Sequence, residues 1–151
     1  MELKQETILE IGKFCILWAK FEKEHCNNDC NSNQIWQFAQ NKKCDIHLLQ
    51  NLSKKLNGRV DLYEDNIIHY VDYNLTPQGA RKPAVGDLKT IKDFISFKGE
   101  NLFVGALLAI YRIRNNLLHG LKKVDELDGQ KDLFNAINLF LEGILGELKL
   151  K

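Results

Sequence analysis

The chain of 151 residues, 44% of them hydrophobic, suits one compact domain. A formal net charge of +1 excludes a globally basic nucleic-acid binder, so any nucleic-acid role has to rest on a local basic patch. No apolar run is long enough to span a bilayer, and the opening Met1-Glu2-Leu3-Lys4-Gln5-Glu6 lacks the apolar core of a signal peptide.

The expected location is the cytoplasm, where the four cysteines are reduced thiols. Just two prolines and many helix formers favour an all-α fold.

The first predicted helix runs from Thr7 to about Glu24, with Ile8, Ile11, Phe14, Cys15, Trp18 and Phe21 at helical spacing. The polar stretch from Asn27 to Asn33 reads as a turn, and Asn31, Ser32 or Asn33 is placed to cap a second helical region. That region carries Ile35, Trp36, Phe38 and Ala39, then Ile46, Leu48, Leu49, Leu52 and Leu56. A break near Asn41 to Asp45 divides it into two helices. Asn57-Gly58 reads as a stop.

Ile67, Ile68, Tyr70 and Val71 suggest a short helix, and Asn74 to Pro83 a loop on the same domain. Asp87 to Phe97 is a short helix broken at Lys98-Gly99. Asn101 to His119 is the strongest helical pattern in the chain, with Gly120 at its expected end. A last helix runs from about Gln130 to Leu148, with the stripe Phe134, Ile137, Leu141, Ile144 and Leu148. The expected architecture is a single bundle of roughly five helices.

The end of the long helix carries the chemistry. At about 100° per residue, Arg112 and His119 fall within about 20° of one face, and Asn115 lies a turn from each. Arg114 is turned about 140° from His119, although its long stem can swing towards the helix end. Metal-free RNA cleavage needs a proton carrier for the ribose 2′-hydroxyl or the leaving oxygen, and histidine titrates near neutrality. Arginine forks onto phosphate oxygens and stabilises charge developing there. Asparagine orients a histidine or a phosphate. Lys122 and Lys123, just past the helix, are placed to hold an RNA backbone. The plainer reading is a histidine at a helix C-terminus with solvated arginines, and residue types alone favour it.

The string Tyr111-Arg112-Ile113-Arg114-Asn115-Asn116-Leu117-Leu118-His119-Gly120 resembles the signature of the HEPN superfamily. That signature is an arginine, four to six residues and a histidine, often with a polar residue straight after the arginine. Arg114-Asn115 followed by His119 fits the four-residue form. The first helix adds Trp18-Ala19-Lys20-Phe21-Glu22, which looks like the tryptophan, phenylalanine and glutamate of one HEPN subgroup. A departure is Leu121, which separates Gly120 from Lys122 where that subgroup has lysine directly.

The resemblance implies a helical homodimer with one composite active site, and a metal-independent endoribonuclease of a toxin–antitoxin, abortive-infection or other antiviral system. An antitoxin or defence-system protein is then an expected partner, and no cofactor is called for. Arg114 and His119 would be the catalytic pair with Asn115 assisting. Arg112, Lys122 and Lys123 would contact RNA, and Glu22 is a weaker candidate for a polar contact to the site. Some members of the superfamily lack nuclease activity and act as nucleotide-binding or dimerisation modules, which is the alternative.

His25, Cys26, Cys30, Cys44 and His47 include the residue types of a zinc site, but no paired Cys-x-x-Cys knuckle is present. Unconnected thiols are the simpler reading, with Cys15 in the core. Tyr63, Tyr70 and Tyr73 with Arg81 and Lys82 are residue types that bind RNA by stacking and charge, although packing and loop roles are the favoured account of them.

Overall fold

The computed structural model describes residues 2–57, 85–118 and 124–148. Among them are six α-helices and no strand: α1 (Gln5–His25), α2 (Ser32–Ala39), α3 (Ile46–Asn57), α4 (Val85–Ile95), α5 (Leu102–Leu118) and α6 (Lys131–Leu145). A 3-10 helix (Val124–Gln130), which the periodicity does not reveal, leads into α6. The fold is therefore an all-α bundle. The predicted stop at Gly58, the short helix around Ile67 and the loop at 74–83 lie outside the described residues.

Helix α5 is the axis of the bundle. Val104, Ala106, Leu107, Leu108, Ala109, Ile110 and Ile113 are all buried, so it is apolar nearly all round rather than along one stripe. Helix α4 packs along it, α2 crosses it, and α3 lies between α4, α5 and α6. Helix α1 pairs with α6; the buried side chains are Phe14, Leu17, Trp18 and Phe21 on α1 and Phe134, Ile137, Phe140 and Leu141 on α6. The Phe14 and Phe134 rings are 5.5 Å apart.

Polar contacts fix this seam. Buried Asn138 donates to the Glu10 carbonyl at 2.9 Å and to Glu10 Oε2 at 2.8 Å. Lys13 pairs with Glu142 at 2.7 Å.

The helix boundaries have local causes. Asn31 caps α2 by accepting the Gln34 N–H at 3.0 Å. Asp45 does the same for α3, accepting the His47 N–H at 2.8 Å. Between them Asn41 adopts φ +66°, a left-handed conformation that asparagine tolerates better than most residues. The break after α4 uses Gly99 at φ +89°.

At the other end, α6 stops at Leu145 rather than Leu148. Gly146 takes φ +91° and donates its N–H to the Glu142 carbonyl at 2.7 Å, which closes the helix three residues early. No described helix is long and apolar enough to cross a membrane.

Candidate active site

Arg114 lies in the last turn and a half of α5, and Glu22 in the last turn of α1. Trp18 and Tyr111 join the two helices below them, with their rings stacked at 6.3 Å between centroids. Trp18 also packs on Phe21 at 5.1 Å, so the aromatic residues of the opening motif form the floor on which the polar pair stands.

Arg114 Nη2 approaches Glu22 Oε1 at 3.6 Å, and Nη1 donates to Asn115 Oδ1 at 3.0 Å. Both members of the ion pair are largely shielded, with side-chain exposures of 30% for Arg114 and 18% for Glu22. The buried Nε–H of Arg114 has no hydrogen-bond acceptor among the described residues. A guanidinium held through both Nη groups is fixed in orientation, and its remaining Nη–H donors are the ones a phosphate oxygen can reach.

Glu22 is itself held in place. Its Oε2 accepts the backbone N–H of Cys30 at 3.4 Å. The chain reaches that position through Asn27 and Asn28, both left-handed with φ +52° and +68°. The Asn28 N–H donates back to the Glu22 carbonyl at 2.9 Å. The polar turn at the end of α1 thus serves the site as well as ending the helix. The asparagine-rich composition of that turn is legible in the sequence; its contact to Glu22 is not.

The same turn brings Cys26 and Cys30 into the same buried corner. Burial pushes both thiols up. For Cys30 the Cys26 thiol and the Glu22 carboxylate add to the rise, while Arg114 opposes it. Among the described residues no group of three or more His, Cys, Asp or Glu side chains is gathered as a metal site, and Cys15 is exposed rather than in the core.

The predicted residues are thus placed in two groups. Arg114, Asn115 and Glu22 form one connected cluster. Arg112 takes another direction, with its guanidinium carbon 5.3 Å from the centre of the Tyr111 ring. The helical wheel gives Arg112 and Asn115 a common stripe, but the side-chain contact of Asn115 is with Arg114. His119, Lys122 and Lys123 lie outside the described residues, as do Tyr63, Tyr70, Tyr73, Arg81 and Lys82. No protein-family model, no curated protein and no solved structure matches the chain.

Proposed function

We propose that the chain is a HEPN-type, metal-independent endoribonuclease that works as a homodimer in a cytoplasmic toxin–antitoxin or antiphage system. The observation that carries this reading is the Glu22–Arg114–Asn115 cluster. It joins the two segments that resemble the superfamily, one on α1 and one on α5, at the helix end that leads directly to His119.

In this reading Arg114 receives the scissile phosphate through its Nη groups and stabilises the charge that grows on its oxygens. Asn115 and Glu22 hold the guanidinium in orientation. His119 carries the proton: it takes it from the ribose 2′-hydroxyl, or gives it to the departing 5′-oxygen. The 2′-oxygen forms a bond to phosphorus as the bond from phosphorus to the 5′-oxygen breaks. The products are a 2′,3′-cyclic phosphate and a 5′-hydroxyl end. Arg112, Lys122 and Lys123 contact the flanking backbone, and the second subunit completes the composite site.

Purified protein should cleave single-stranded RNA in the presence of EDTA and leave 2′,3′-cyclic phosphate ends. His119→Ala and Arg114→Ala should each lower the rate by about 100-fold or more, with unchanged helical circular dichroism. Cleavage at the wild-type rate by His119→Ala refutes this mechanism.

A second reading has one observation in its favour. The Glu22 carboxylate partly neutralises Arg114 and ties α5 to α1, as a purely structural contact does in a non-catalytic dimerisation or partner-binding module. That reading expects no cleavage of total RNA and no growth arrest on expression in a bacterial host.

A further inference from the structure

A row of side chains leads away from the Arg114 cluster across the C-terminal end of α1. His25 comes three residues after Glu22, so the two are neighbours on the helix surface. The His25 ring lies on Phe38, with centroids 4.3 Å apart. Phe38 in turn carries the Lys42 ammonium over its ring, 3.9 Å from the centroid. The row ends in an open cavity of about 380 Å³ between the α2–α3 turn and α6. That volume lies in the range of small-ligand sites, about 300–1,000 Å³.

The walls of the cavity are Phe38, Phe103, Ile144 and the bare backbone of Gly143, and its rim carries Lys42 and Lys43. Both lysines are exposed. Asp45, the acid on the rim, is engaged as the cap of α3 through the His47 N–H. The site therefore offers two exposed cations above an aromatic and aliphatic floor. A second cavity, of about 400 Å³ between α1 and α6, has the opposite character. It is edged by Glu6, Glu10 and Asp132, and its Lys131 is already paired with Glu6 at 3.0 Å, so it repels a phosphate.

We infer that the cavity beneath Lys42 and Lys43 is a nucleotide subsite, which takes one base and its phosphate from an RNA strand passing Arg114. The choice of ligand rests on the proposed nuclease function; the site itself rests on the side chains present. On binding, the base takes the place of the Lys42 ammonium against Phe38, and the released ammonium joins Lys43 on the phosphate. One contact to the ring is exchanged for another, and an ion pair is gained. Recognition of this kind needs base and phosphate together. It discriminates weakly among bases, because every base presents a flat face.

The test is an amide-shift titration of the full chain, labelled with nitrogen-15, using adenosine 5′-monophosphate, adenosine and inorganic phosphate as separate probes. The nucleotide should shift the amides of Lys42, Lys43 and Gly143 saturably, and bind about tenfold or more tighter than either fragment. The double variant Lys42→Ala/Lys43→Ala should weaken it by about tenfold or more, whereas Lys54→Ala/Lys55→Ala, on exposed positions of α3, should not. Absent shifts, equal binding of phosphate alone, or an unaffected Lys42→Ala/Lys43→Ala variant each overturn the subsite. The titration involves no cleavage. Saturable binding by a protein that cuts no RNA counts against the nuclease alone, and cleavage without binding here counts against the subsite alone.

Discussion

Cys26 and Cys30 show how much one turn can change the chemistry of a side chain. Both are buried, and burial raises both pKa values; the reactive thiolate is correspondingly scarce near neutral pH. Cys15 has the same functional group on an exposed face of α1. Iodoacetamide at pH 8 should therefore alkylate Cys15 first. Cys44, half-buried and also raised by burial, should react more slowly, and Cys26 and Cys30 should react only on unfolding. Peptide mass spectrometry over time reads the order, and early labelling of Cys30 would contradict the packing of the turn beneath Glu22.

Residue identity alone also explains why the sequence selects Arg114 and Arg112 differently by different criteria. A helical wheel locates Cβ atoms, whereas the contacts of arginine are made by a guanidinium several bonds further out. The resemblance points to Arg114, and it is Arg114 whose side chain joins Asn115 and Glu22.

At the scale of elements, two helix contacts made at glycines differ in how much they can yield. A Cβ built on Gly105 would lie 2.6 Å from both the Thr90 carbonyl oxygen and Phe94 Cβ, so α4 and α5 approach backbone to backbone. A Cβ on Gly143 would meet only Leu48 Cδ1, at 2.5 Å, which is the free end of a flexible side chain. Gly105→Ala should cost about 1–3 kcal/mol through forced separation of the helices. In Gly143→Ala, the better helix propensity of alanine, worth about 1 kcal/mol, offsets much of the Leu48 movement. Urea unfolding of the two variants measures the contrast, and equal losses would show that α4 can shift as easily as Leu48.

The sequence is legible at this scale wherever a cap or a breaker interrupts an apolar period. Asn31, the Asn41–Asp45 break and Gly99 all mark real boundaries. The pattern fails where apolar residues continue past the end of a helix, as Leu148 does beyond Gly146. The Glu22–Cys30 contact is invisible for a different reason: it depends on two left-handed asparagines whose fold-back no periodicity encodes.

For the molecule as a whole, His25 links stability to pH. Burial, opposed by Glu24 and aided by Lys42, lowers its pKa from the usual 6.5. The unfolded chain then binds the proton more tightly than the folded one. The contribution is fully present above pH 6.5 and is lost as pH falls through the lower, folded value. Glu6 and Asp128 have lowered pKa values too, but as carboxylates they act at more acidic pH. The melting temperature should therefore decline as pH falls below 6.5, and His25→Gln should flatten that decline. An identical slope in the variant would show that His25 is not the group responsible.

The seam between α1 and α6 also has a consequence for synthesis on the ribosome. Lys131 and Glu6, which pair across it, are 125 residues apart in sequence. At about 5–20 residues per second, α1 waits on the order of ten seconds for the helix that covers it. Arg114 and its Glu22 tether both emerge before that cover arrives. A nascent chain thus carries Arg114 and Glu22 before the α1–α6 seam can close. The bundle that carries the cluster is therefore completed only after α6 has left the ribosome.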